Sequence, residues 1–138
     1  MSKRFIRSQR LLTAKDYSHV FEQVHAKAVS GPLLALARLH TPKNAGSRLA
    51  DEEPQSRIGL IIAKKHLKHA VDRNRVKRCC RAVFRHEHLS FPHADIIVLL
   101  RGKPKPDELS TLSPKVEELF SRLSVKLHRE ASRIAAEC

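Results

Sequence analysis
Tyr17, Val20, Phe21 and Val24 recur at i, i+3, i+4 and i+7, the spacing that lays apolar side chains along one face of a helix. Thr13 stands where an N-cap belongs, with Asp16 at the reciprocal position of an approximate capping box, so the helix is expected to start there. Ser30-Gly31-Pro32 is a turn signal. Leu33 to Leu39 after it reads as a strand, although leucine and alanine are weak β formers. From Thr41 to Ser56 the apolar periodicity vanishes, and Pro42, Asn44, Gly46, Pro54 and the acidic run Asp51-Glu52-Glu53 predict a flexible surface loop. Arg57 to Lys65 is nearly continuous in apolar residues up to its terminal lysines, the pattern of a strand covered on both faces. A second such strand, Asp95 to Arg101, lies between the breaks Phe91-Pro92-His93 and Gly102-Lys103-Pro104-Lys105-Pro106. Ser113 and Pro114 supply a cap and a first-position proline for a last helix with the stripe Val116, Leu119, Phe120, Leu123 and Leu127. With a helix between the two buried strands, the pattern alone reads αββαβα. It predicts one domain over 1–138 without internal repeat, a flexible basic N-terminus over about residues 1–10 and a tail over about 130–138.

The helix between the strands differs from the others in what occupies its polar face. At about 100° per residue, Asn74, Lys77, Arg78, Arg81 and Arg85 fall at i, i+3, i+4, i+7 and i+11 and form one basic ridge. Val76, Cys80, Val83 and Phe84 occupy the opposing sector. An ordinary amphipathic helix also carries a solvated charged face, so spacing alone does not decide. Here arginine outnumbers lysine, almost no carboxylate is nearby, and a guanidinium fork makes bidentate phosphate contacts that an ammonium cannot. The ridge points to RNA.

Charge extends this to the whole chain. Its 138 residues hold 27 Lys plus Arg against 14 Asp plus Glu, a net charge of +13 with a pI near 10.3, which is the footprint of a polyanion partner. Between Arg57 and Arg85 ten bases face Asp72 alone, and Lys3, Arg4, Arg7 and Arg10 add to the N-terminus without an acid. Three cysteines, two adjacent and one C-terminal, form neither a disulfide framework nor a zinc spacing, and reduced thiols in a cytosolic protein are expected. No apolar run suits a signal peptide or a membrane span, so neither secretion nor a membrane partner is expected. Metal-dependent hydrolysis needs convergent carboxylates or histidines. The acids here are scattered over the loop, at Glu117-Glu118 and singly elsewhere. His86 and His88 lie near Cys79 and Cys80, but adjacent cysteines diverge around a helix, so no catalytic or metal-ligating set is assigned.

Arg57-Ile58-Gly59-Leu60, Lys64-Lys65 and Ala70-Val71-Asp72-Arg73-Asn74-Arg75-Val76-Lys77-Arg78 with Arg81 resemble the protein component of bacterial ribonuclease P. They match that family's R-x-G-L strand, K-K pair and R-N-R-x-K-R-x-x-R signature, and the resemblance runs over nearly the whole length. It implies an α+β fold (αβββαβα), a single two-layer domain like one in a small-subunit ribosomal protein, with a left-handed β-α-β crossover carrying the signature helix. It implies a subunit of an endoribonuclease that assists a catalytic RNA in removing the 5′ leader of precursor tRNA. Lys64, Lys65, Arg73, Asn74, Arg75, Lys77, Arg78 and Arg81 would contact the catalytic RNA. Tyr17 and Phe21 would offer stacking faces to the leader in a cleft between the first helix and the sheet, each stacked base contributing about 1–3 kcal/mol. Catalysis and Mg²⁺ would then reside mainly with the RNA, none being bound by the protein alone, in the cytoplasm and with no DNA partner.

The chain departs from the family pattern at four places. Ala82 replaces a common glutamate, Leu33 to Leu39 lacks the aromatic of many relatives, His69 stands where a capping asparagine is common, and the 41–56 loop is longer. Two other readings predict different partners. A general structured-RNA binding protein would bind folded RNA without stimulating precursor cleavage. A DNA-binding module would prefer duplex DNA, yet the basic helix lacks a helix-turn-helix partner.

Overall fold
A computed structural model describes residues 14–40, 56–87 and 92–137. The expected cap Thr13, the basic N-terminus, the loop up to residue 55, His88, Phe91 and Cys138 lie outside them. The elements run α1 (Ala14–Glu22), β1 (Ala26–Ser30), β2 (Leu33–Leu39), β3 (Arg57–Ile61), α2 (Ala70–Glu87), β4 (Ala94–Leu100), α3 (Pro106–Ser110) and α4 (Leu112–Glu137). The order is that of the αβββαβα family fold with one short helix added. Strand β1 is absent from the pattern-based order because Ala-Lys-Ala-Val-Ser has little β propensity. Tertiary contacts make it a strand: Arg122 and Lys126 of α4 each donate at 2.6 Å to its open-edge carbonyls, on Val29 and Lys27. Such cover blunts an edge that would otherwise pair with another chain.

Four helix boundaries also differ from the pattern. Helix α1 stops at Glu22, before Val24, because the His25 amide already bonds Ala37 as β1 begins and His25 Nδ1 accepts from the Leu39 amide at 2.9 Å. Pro106, expected to end a strand, is the first residue of α3, and the Lys105 amide donates to Glu108 Oε1 at 2.9 Å. Ser113 is not a cap, since α4 begins at Leu112; Pro114 is tolerated there because the first-turn amides have no helical partner. Helix α4 also continues to Glu137, through the segment whose pattern predicts a tail.

The sheet order is β1-β2-β4-β3, antiparallel between β1 and β2 and between β2 and β4, and parallel between β3 and β4. Strand β4 is central and nearly all buried, as its apolar run predicts, whereas β3 is an edge and leaves Ile61 exposed. Side chains alternate between two faces. Ala26, Ala28, Leu33, Ala35, Ala37, Leu39, Ile58, Ala94, Ile96, Val98 and Leu100 face α2 and α4 in the main core. Small alanines on β1 and β2 let α4 lie close, and its Phe120 meets Phe84 of α2 with ring centroids 6.2 Å apart. The opposite face carries a second, smaller cluster, Val20 and Ile97 with Tyr17, Leu36 and Leu99, under α1.

On that same face lies a buried charge. Asp95 accepts from Arg57 Nη2 and Nε at 2.6 and 2.8 Å and lies 2.7 Å from His40 Nε2, while Arg57 Nη1 stands 3.7 Å from Asp16 Oδ1 in α1. Burial alone would raise the Asp95 carboxyl, but the hydrogen bonds and charges of His40 and Arg57 outweigh it and hold its pKa below the ordinary 3.8. A depressed folded-state pKa contributes stability that is present above the unfolded value and lost as pH falls through the folded one. Asp95→Asn should therefore lower stability at neutral pH and flatten the acid loss below about pH 4, as urea melts across pH would read. Phe84→Ala should cost about 3–5 kcal/mol in the same melts, from lost burial and the cavity left behind.

Candidate nucleic-acid interface
Helix α2 buries Val76, Cys80, Val83 and Phe84, the sector assigned from spacing. With that side held against α4 and β3, Asn74, Arg75 and Arg78 stand exposed. Val71, Asn74, Arg75 and Arg78 line one open cavity of about 310 Å³. Lys77 and Arg81 flank the ridge half-buried, and their alkyl stems can cover apolar surface while the heads reach outward. Lys64 and Lys65 are exposed in the turn between β3 and α2, beside the start of the helix. That turn is closed by the His66 and Leu67 amides donating to the Ala63 carbonyl. Arg73 behaves differently from its neighbours. Its Nη1 donates to the carbonyls of Leu67 and Lys68 at 2.8 and 2.9 Å, so it fastens the lysine turn to α2.

The second expected site lies on the other face of the sheet. Tyr17 is half-buried against Val20 and Ile97, whereas Phe21, one turn further along α1, is 50 % exposed. Val29, Leu34, Leu36 and Leu99 are only partly covered there. A nine-residue helix cannot roof a four-stranded sheet, and among the described residues the apolar side chains beside it stay partly open. The structure thus separates the expected site residues into two groups on opposite faces: the basic set on and beside α2, and Tyr17 with Phe21 on α1.

The two described thiols are not activated. Burial pushes the Cys80 thiol well above its usual range, and it pushes Cys79 up against the lowering effect of a hydrogen bond to Ser113. Reactive thiols need the opposite shift. Among the described residues no group of three or more His, Cys, Asp and Glu is arranged to hold a metal, and the Asp95 carboxylate is already engaged by Arg57 and His40. No helix among them is long and apolar enough to cross a membrane.

A family model for Ribonuclease P matches residues 5–124. The chain belongs to the ribonuclease P protein family. It is 37 % identical over 127 residues to the ribonuclease P protein component of Chromohalobacter salexigens, covering 92 % of this chain and 91 % of the relative. With that of Pasteurella multocida the identity is 40 % over 119 residues, covering 86 % and 89 %. Among solved structures, an RNase P protein from Staphylococcus aureus superposes with a TM-score of 0.64 at 20 % identity, over 84 % of this chain and 97 % of that one. The RNase P protein of Thermotoga maritima gives 0.55 at 21 % identity, over 87 % and 96 %. The fold is therefore the RNase P protein fold. As a ribonuclease P protein component, the chain is a subunit of an endoribonuclease of tRNA processing.

Two features of the α2 surface escaped the spacing argument. Val71 is 78 % exposed yet lines the cavity, and its place three, four and seven residues before Asn74, Arg75 and Arg78 is the signal that could have found it. The fastening role of Arg73 had no sequence signal, because a guanidinium reads the same whether it meets phosphate or a carbonyl. Arg73→Ala should speed hydrogen exchange at the His66 and Leu67 amides, losing about 1–3 kcal/mol of local protection, while the α2 interior from Val76 to Phe84 stays protected.

Proposed function
We infer that this ribonuclease P protein binds the catalytic RNA through the exposed face of α2 and the neighbouring lysine turn, and the 5′ leader of precursor tRNA through the cleft beneath α1. The observation that carries this reading is the two-sided α2: one sector buried by the core, the other presenting Asn74, Arg75 and Arg78 around an open cavity. Guanidinium groups on a rigid helix are pre-organised for phosphate, and Lys64 and Lys65 extend the positive surface toward the strand end. Arg73, Lys77 and Arg81 complete it, Arg73 with those of its donors not given to Leu67 and Lys68. Phosphate contacts fix position and orientation and carry little sequence information, which suits a protein docking on one folded RNA. The partly open apolar face beside α1 supports the second half. Half-open aromatic rings at Tyr17 and Phe21 give unpaired bases a stacking surface, and single strands bind such surfaces with little sequence demand.

In this reading the protein holds RNA and excludes water from its own contacts, and hydrolysis of the phosphodiester belongs to the RNA with its Mg²⁺ ions. The place of action is the cytoplasm, where Cys79 and Cys80 stay reduced thiols. Cleavage of a precursor tRNA at low Mg²⁺ by a bacterial ribonuclease P RNA should need the protein as well as the RNA. Binding without stimulation would return the chain to general RNA binding, and cleavage by protein alone would overturn the reading outright. Affinity for the catalytic RNA should fall steeply with salt; six to ten phosphate contacts correspond to roughly 10³–10⁵ between about 50 and 200 mM. Arg78→Ala should weaken assembly and reduce the slope of log affinity against log salt by about one contact, which a filter-binding titration reads directly.

A further inference from the structure
The arginine and glycine of the strand motif Arg57-Ile58-Gly59-Leu60 both point at α1. Alternation puts residues 57 and 59 on the same face of β3. From there the Arg57 fork holds Asp95 at 2.6 and 2.8 Å, and its remaining nitrogen reaches Asp16, 3.7 Å away on α1. All three groups are largely withdrawn from water, with side-chain exposures of 12 %, 2 % and 15 % for Arg57, Asp95 and Asp16. Two residues along, a Cβ placed on Gly59 would lie 2.6 Å from Cε1 and 2.7 Å from Cζ and Oη of Tyr17. Real Cβ atoms essentially never come within 3.0 Å of a heavy atom, so any side chain at this position displaces the ring. Gly59 has no positive φ to explain it, which leaves the close approach of Tyr17 as the physical reason for glycine.

Asp16 and Tyr17 are consecutive. One strand therefore holds the start of α1 twice, by charge at Asp16 and by the missing side chain under Tyr17. The hold matters because α1 has only nine residues, and an isolated helix under about 12 residues is marginal in water. Its orientation comes from tertiary ties. The geometry points to Arg57 and Gly59 as positioning residues for the leader cleft: the Asp95–Arg57–Asp16 bridge sets where α1 starts, and Gly59 admits the Tyr17 ring against β3, so that its outward side becomes a stacking surface for one base of a single-stranded leader. This deepens, and rests on, the reading of the cleft given above. Neither residue touches the RNA; both act through Tyr17.

The test is made in the holoenzyme reconstituted with a bacterial ribonuclease P RNA. Dissociation constants are measured for one tRNA with and without its 5′ leader, and their ratio is the leader contribution. Gly59→Ala should reduce that contribution about fivefold or more, the size of one stacked base, and Tyr17→Ala by a similar factor. Adding Gly59→Ala to Tyr17→Ala should cause no further loss, because the new methyl then meets no ring. A glycine needed only for stability would not show this dependence on Tyr17. If Tyr17→Ala removes the leader contribution while Gly59→Ala keeps it, or if the two losses multiply, the positioning role is wrong and the cleft reading stands. If Tyr17→Ala leaves the contribution intact, the cleft reading fails and the inference with it. Should thermal melts show that Gly59→Ala does not fold, Asp16→Asn carries the test from the helix side. It should cost about twofold or more of the leader contribution, the scale of a single ion pair, with Asp16→Glu restoring it; an unchanged ratio for Asp16→Asn overturns the proposal.

Discussion

Parallel pairing of β3 with β4 is the constraint from which the placement of the basic surface follows. Parallel neighbours cannot be joined by a hairpin, so the chain must leave the end of β3, cross one face of the sheet and re-enter at the start of β4. Helix α2 is that crossover. Its apolar sector is thereby committed to α4 and the sheet, and whatever stands in the other sector is presented outward on a rigid element. The lysine turn at the end of β3 is brought beside the start of α2 by the same connection, and Arg73 fastens it there through two carbonyls. One topological requirement thus converts a run of bases in the sequence into a surface.

The two faces of the sheet are finished to different degrees, and this difference leaves apolar surface open beside α1. On the α2 and α4 face, alanines on β1 and β2 allow a long helix to approach, and the core is closed by Phe84 and Phe120. On the other face larger residues, Leu34, Leu36 and Leu99, have among the described residues the nine-residue α1 beside them and stay partly covered. An apolar surface left partly open is a place to bind. A buried carboxylate is costly without partners. Asp95 is buried on this half-open face with both its oxygens engaged, by Arg57 and by His40, and Arg57 carries the connection onward to α1. The buried charge and the partly open apolar face are therefore neighbours.

Most of this architecture was legible in the chain, and the failures have local causes. The buried strand β4, the helix α2 with its buried sector, and the stripe of α4 are strong periodic signals, and all appear as read. Strand β1 was invisible to pattern because alanine, lysine and serine do not favour strands; α4 and β2 impose it from outside. The start of α4 was misplaced because Ser113-Pro114 has the composition of a cap, while Leu112, buried one residue earlier, decides where the helix begins. Val24 left the α1 stripe because pairing of β1 with β2 begins one residue later, at His25. The family resemblance supplied the third strand before α2 that periodicity alone did not.

The sequence by itself determined that the chain would present concentrated positive charge on one helix, because charge and helical phase are properties of residue order. It also determined which side of that helix would be buried, since Val76, Cys80, Val83 and Phe84 have only one way to leave water together. What only the tertiary structure decided is which of those charges serve the fold and which remain exposed. Arg57 and Arg73 are as basic as Arg75 and Arg78, yet Arg57 neutralises a buried aspartate and Arg73 binds backbone carbonyls, while Arg75 and Arg78 stay exposed. That division depends on distances between groups far apart in the chain. The glycine under Tyr17 is of the same kind: its meaning lies in a contact across 42 positions of sequence that no local pattern encodes.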